Sequence, residues 1–169
     1  MKKRILAGML CLLCLAGAVS LAETMGPVQR FPSREFTYYD LDGTAYKASD
    51  LIGKPAIINF LASWCPPCKA ELPFFRDAYE EYGNDIAFMF VDMCGGGGDR
   101  PQDMIALFEK ESYLMPLYFD TDGEAAAVYE VSAIPTTVFI DEKGYITDLH
   151  VGAMMEGSLQ EEIQMLLAD

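Results

Sequence analysis

Basic side chains are scarce in this 169-residue chain: 12 Lys and Arg stand against 26 Asp and Glu, a formal net charge of -14. That balance excludes a protein that grips a nucleic-acid backbone, which needs clustered Lys and Arg to displace counterions. It also disfavours an anionic lipid surface. Histidine is scarcer still, with His150 alone. Five cysteines are too few for a disulfide scaffold. No internal repeat interrupts the chain. With 51% hydrophobic and 12% aromatic residues the sequence is not disordered, and its length suits a single domain with a core of its own.

What is present begins with a leader. Lys2, Lys3 and Arg4 precede an uncharged apolar run from Ile5 to Ala22, which holds Cys11 and Cys14. A basic start, an apolar middle and the small residues Ser20 and Ala22 match a secretory signal cleaved after Ala22. The run also approaches the ~18–20 residues that span a bilayer, so a retained anchor is the rival reading. A lipoprotein signal is the weaker alternative, because Cys14 follows Leu12 and Leu13. Residues 1–22 are thus a signal peptide or membrane anchor, and either reading places the protein outside the cytoplasm.

Residues 23–35, with Pro27 and Pro32, lack a hydrophobic period and read as a linker. The folded domain is then 36–169. Phe36–Tyr39 and Thr44–Tyr46 flank the turn signal Asp40-Leu41-Asp42-Gly43, which predicts an N-terminal β-hairpin. Ala56–Ala62 is a continuous apolar run, as in a strand buried on both faces. A helix is expected from about Cys65 to Tyr82, a second buried strand over Ile86–Asp92, and a helix near Pro101–Glu111. Leu117–Phe119, Thr136–Asp141 and Tyr145–Val151 read as strands, the last two joined by Glu142-Lys143-Gly144. Ala125–Tyr129 reads as a short helix. Ser158 with Glu161 has the pattern of a capping box opening a last helix. The order predicts an α/β fold with a central mixed sheet and helices on both faces.

Trp64-Cys65-Pro66-Pro67-Cys68 sits where the buried strand hands over to a helix. There the unpaired N–H groups and the helix dipole favour a negative sulfur on the first cysteine. A thiolate is the species that attacks a disulfide. Cys68 lies within disulfide reach and is able to resolve a mixed disulfide. Pro66 and Pro67 are tolerated because a first helical turn leaves its N–H groups unpaired anyway. A zinc half-site needs a second Cys/His pair, and the spare ligands Cys94 and His150 have no paired spacing. A plain structural disulfide is the remaining bland reading. His150 falls in an alternating strand pattern and reads as structural. Cys94, just before Gly95–Gly98, reads as an incidental thiol.

With these residues in view, the chain resembles the thioredoxin superfamily, and more narrowly the TlpA/ResA-like thiol-disulfide oxidoreductases exported by bacteria. The resemblance is carried by Asp50–Pro55, by Ile58-Asn59-Phe60-Leu61-Ala62-Ser63 leading into the Cys65–Cys68 motif and on to Pro73, and by Ile134-Pro135 with Thr136–Asp141 and Gly144. It implies a thioredoxin-like fold and a redox-active Cys65–Cys68 pair with no organic cofactor and no metal. It implies Cys65 as the exposed nucleophile, Cys68 as the buried resolving cysteine and Ile134-Pro135 as a cis-proline facing them. Trp64, Pro66, Pro67, Ile134 and Pro135 would form the substrate-docking surface. Glu71, one helical turn after Cys68, would tune or shuttle thiol protons. The partners implied are protein disulfides (apocytochrome c or a methionine sulfoxide reductase) and a CcdA-type membrane thiol transporter as electron donor, the enzyme being a monomeric reductant. The alternative is a copper carrier on the same fold. Such carriers usually space their cysteines three apart and add a His, whereas this chain spaces them two apart, though His150 lies C-terminal. No peroxidatic cysteine pattern precedes the motif.

Overall fold

The computed structural model describes residues 31–95 and 98–168. In chain order these form β1 (Phe31–Pro32), β2 (Thr37–Tyr39), β3 (Ala45–Lys47), a 3-10 turn (Ala48–Leu51), β4 (Ala56–Leu61), α1 (Pro66–Tyr82), β5 (Ala87–Asp92), α2 (Pro101–Glu111), β6 (Leu117–Phe119), α3 (Glu124–Val128), β7 (Thr136–Ile140), β8 (Tyr145–Val151) and α4 (Glu156–Ala168). The strands join in one mixed sheet ordered β1-β8-β7-β4-β5-β6-β2-β3.

β4 lies at the centre, parallel to β5 and antiparallel to β7. All six of its residues are buried, as the unbroken apolar run predicts for a strand covered on both faces. Side chains alternate across it. Ile57 and Leu61, with Phe88, Phe90 and Phe139, pack under α1, α2 and α4. Ile58 and Phe60, with Met89, Val91 and Val138, face Phe36, Tyr38, Ala125 and Tyr129 on the other side. Phe75 of α1 meets Phe90 edge-on at 5.7 Å between ring centroids, which fixes the redox-motif helix on the sheet. α1 continues through Pro73 although that residue removes one ladder hydrogen bond.

Turn chemistry holds the hairpins. Asp40 Oδ1 accepts from the backbone N–H of Asp42 and of Thr44, both at 2.9 Å, and Gly43 adopts φ 76°, which favours glycine. Asp141 Oδ1 does the same for Lys143 and Tyr145 at the β7–β8 turn.

Two expectations need correction. Phe31–Pro32, read as linker, pair antiparallel with Tyr145–Ile146 of β8; a two-residue strand is too short for a periodic signal. Ser158 does not cap the last helix, which begins two residues earlier at Glu156. The Met155 carbonyl accepts from Leu159 N–H at 3.0 Å, so Ser158 lies inside the first turn. The leader and residues 23–30 of the linker lie outside the described residues. Among the described residues no helix is long and apolar enough to cross a membrane.

Candidate active site

The strand-to-helix handover after β4 places the two sulfurs. Cys65 is the N-cap of α1, in an extended conformation, and Pro66 and Pro67 occupy the first helical positions. The Cys68 N–H, one of the helix's unpaired donors, donates to Cys65 Sγ at 3.2 Å. Cys65 and Cys68 are joined in a disulfide, with Cα atoms 5.3 Å apart. Both sulfur residues are buried, and Cys65 is only 2% exposed. This corrects the expectation of an exposed Cys65. In the disulfide its sulfur turns inward toward Cys68 and lies 3.8 Å from the Ile134 carbonyl.

The Ile134-Pro135 peptide is cis, as the resemblance implies. Ile134 is half-buried and Pro135 buried, while Pro66 and Pro67 are exposed. Trp64, 59% exposed, is the large apolar side chain next to Cys65 in the chain. The five expected docking residues therefore differ: four offer surface, whereas Pro135 is covered.

Glu71 is 1% exposed, on the face of α1 turned to the sheet. Its Oε1 accepts from Asn59 Nδ2 at 2.9 Å, and its Oε2 from the Met154 N–H at 2.7 Å. Burial pushes its carboxyl up to about 7, against the opposing pull of those two donors. Asn59 Nδ2 also donates to Thr137 Oγ1 at 3.0 Å, while its buried Oδ1 has no partner. Glu71 is thus tied to β4, to β7 through Asn59, and to the entry of α4. The expectation for Glu71 named its place but not these partners. Asn59 is the one polar side chain inside Ala56–Ala62, a run read from the sequence simply as apolar; the Met154 backbone donor has no sequence signature.

A second acidic group lies behind the approach to Cys65. Asp99 accepts from both donors of Ser63: the backbone N–H at Oδ2, and the hydroxyl at Oδ1, 2.8 Å away. The Arg100 N–H also donates to Asp99 Oδ1 at 2.8 Å. Asp92, the last residue of β5, is 0% exposed, and neither of its carboxyl oxygens has a hydrogen-bond partner. Burial first, then the charge of Asp99, pushes Asp92 up to about 8. Half-buried Cys94 is raised to about 11 by burial and Asp92, so its thiol is a poor nucleophile at neutral pH. His150 stands in β8 opposite Thr137.

Residues 28–149 match the AhpC/TSA family. The chain belongs to that family. Among its relatives, the thioredoxin-like protein YneN of Bacillus subtilis is 30% identical over 131 residues, 78% of this chain and 76% of that protein. The thiol-disulfide oxidoreductase ResA of Oceanobacillus iheyensis is 33% identical over 129 residues, 72% of this chain and 64% of that protein. Of solved structures, the exposed lipoprotein thioredoxin of Streptococcus pneumoniae superposes with TM-score 0.69 at 30% identity, covering 79% of this chain and 100% of the other. StoA of Bacillus subtilis gives 0.65 at 27% identity, covering 76% and 96%. The fold is thioredoxin-like, and this AhpC/TSA member is a thiol-disulfide oxidoreductase of the ResA-like kind.

Proposed function

We propose that the protein reduces disulfides of other proteins outside the cytoplasm, with Cys65 as the attacking sulfur and Cys68 as the resolving one. The Cys65 thiolate attacks one sulfur of the substrate disulfide. A Cys65–substrate disulfide forms and the first substrate thiolate leaves. Cys68, having given its proton to Glu71, then attacks Cys65 Sγ, closes the Cys65–Cys68 disulfide and releases the second thiolate. Two electrons pass from enzyme to substrate, and an external dithiol returns them. By its resemblance that donor is a membrane transporter of CcdA type. Candidate clients are apocytochrome c and a methionine sulfoxide reductase, met by a monomer through Trp64, Pro66, Pro67, Ile134 and Pro135.

The observation that carries the direction is the burial of both sulfurs, with the buried Glu71 carboxyl one helical turn from Cys68. Strong oxidants of this class are oxidising because their reduced thiolate is stabilised. Here the Cys68 N–H and the helix start favour a Cys65 thiolate. Burial disfavours it, which favours the neutral disulfide and lowers the potential.

The test pairs a reduction potential with trapping. Equilibration of Cys65–Cys68 against a glutathione series should give a potential well below about -200 mV; a value near about -120 mV rejects the reductant. Cys68→Ser should accumulate a mixed disulfide with client protein, and Cys65→Ser should not. The reverse pattern would reassign the attacking sulfur.

A further inference from the structure

We propose that Asp99 is the positioning residue of the segment leading to Cys65, holding Ser63 from behind. The proposal rests on Cys65 as the attacking sulfur. Between the end of β4 at Leu61 and the start of α1 at Pro66 the chain must turn, and Cys65 N–H donates to the Ala62 carbonyl at 3.1 Å. Ser63 sits in that turn. Its backbone N–H and hydroxyl both donate to Asp99, one to each oxygen, so a single carboxylate fixes the main chain and the side chain together. Asp99 is itself anchored, its N–H donating to the Met93 carbonyl at 3.0 Å just past the end of β5. The direction of Cys65 Sγ is therefore set by the β5–α2 connection as well as by α1.

Asp92 decides whether this clamp stays closed. It is fully buried, neither oxygen meets a hydrogen-bond donor, and the group acting on it most strongly is the Asp99 carboxyl, so the pair tolerates one charge more readily than two. The charged groups acting on it are acidic: Asp99 and, at the start of α2, Asp103. The guanidinium of Arg100 is engaged with Asp103 in the exposed part of that turn. The neighbouring Cys94 thiol is neutral, and the Asp120 carboxylate is held by Ala125 N–H and Ala126 N–H. No cation faces Asp92 from these elements. Ionisation of Asp92, centred near pH 8, sets a second negative charge against Asp99 and loosens its hold on Ser63. The exchange rate per Cys65 thiolate then falls on the alkaline side.

The experiment measures kcat/KM for insulin reduction from pH 6 to pH 9.5, alongside the pH dependence of Cys65 alkylation by iodoacetamide, read by peptide mass. Asp99→Ala should lower kcat/KM at pH 7 about 10-fold, misplacement of a reacting group by about 1 Å being worth up to about 100-fold. Asp99→Asn should recover part of that loss, since its Oδ1 accepts from Ser63 N–H and its Nδ2 donates to the Ser63 hydroxyl, at the cost of the Arg100 N–H bond. Ser63→Ala, which keeps the main-chain bond, should lie between. Asp92→Asn should remove the alkaline fall, so that the ratio of rates at pH 9 and pH 7, corrected for thiolate fraction, rises several-fold above wild type. Should Asp99→Ala fail to fold, Ser63→Ala and Asp99→Asn still decide the matter. The proposal is overturned by Ser63→Ala and folded Asp99→Ala within twofold of wild type, by Asp99→Asn as impaired as Asp99→Ala, or by coincident wild-type and Asp92→Asn profiles. Exchange surviving in Cys65→Ser would instead overturn the assignment of the attacking sulfur. An inactive Cys65→Ser beside an unaffected Asp99→Ala overturns only the clamp.

Discussion

Replacing Glu71 by Gln tests whether a buried acid controls both proton transfer and stability. In the folded protein burial is the leading cause that raises its carboxyl from 4.5 to about 7, and the donors Asn59 and Met154 pull it back. A folded-state acid with a raised pKa holds its proton more tightly than the unfolded chain does. Its stabilising contribution is complete below about pH 4.5 and is lost as pH rises toward 7. At about 1.4 kcal/mol per pH unit, this displacement amounts to ~3 kcal/mol. Gln carries no charge at either end of the window. Urea unfolding of oxidised wild type and Glu71→Gln at pH 5 and pH 8 isolates the contribution, because Asp92 and the surface carboxylates cancel in the difference. The variant should gain ~3 kcal/mol relative to wild type between the two pH values. A stability difference that stays constant within about 0.5 kcal/mol would refute the buried, proton-holding Glu71. The same variant should slow resolution of the mixed disulfide about 10-fold or more, general acid–base catalysis being worth about 100-fold and upward.

Asn59→Ala removes the donor shared by Glu71 and Thr137; it should cost about 1–3 kcal/mol in urea unfolding and move the Glu71 titration further upward. A downward shift would contradict the assigned bond. Trp64→Ala should leave the unfolding midpoint unchanged, since the side chain is largely exposed, while raising KM for a protein disulfide; an unchanged KM would remove Trp64 from the docking surface. Cys94→Ser should leave disulfide turnover at pH 7 within twofold of wild type, its thiol being held neutral; loss of turnover would give Cys94 a redox role.

The sequence made legible what depends on pattern and covalent spacing. The central strand announced itself by five apolar residues in six positions, Asn59 the exception, and α1 by the Cys-Pro-Pro-Cys start and the spacing of Leu72, Phe75 and Tyr79. The disulfide followed from two cysteines one helical turn apart. What stayed hidden depends on contacts between distant segments. Asp99 reaches back 36 positions to Ser63, and Met154 lies 83 positions from Glu71. Backbone donors and carboxylates carry no periodic signal, so no local pattern marks them. An exposed Cys65 was what the resemblance implied; in the oxidised state the residue is buried, with its sulfur 3.8 Å from the Ile134 carbonyl. Ser158 misled for a related reason. A Ser with Glu three residues on matches a capping box equally well at a helix start or one turn inside it.

Two of the buried acids, Glu71 and Asp92, place the proposed catalysis and stability in opposition. Glu71 and Asp92 are both raised chiefly by burial, to about 7 and about 8. By the sign argued for Glu71, each lowers the stability of the fold as pH climbs, Asp92 across the wider interval from about 4 to about 8. Thiolate formation at Cys65 increases over that same climb, and with it the rate of attack. A core without these acids would be more stable above neutrality, but it would lack an acceptor one turn from Cys68 and a carboxyl behind Asp99. Isolated buried carboxyls are costly and have no packing advantage over an apolar residue of similar size. Under the proposed mechanism these acids serve proton handling near the strand-to-helix turn that carries the sulfurs, and stability is reduced at the same positions.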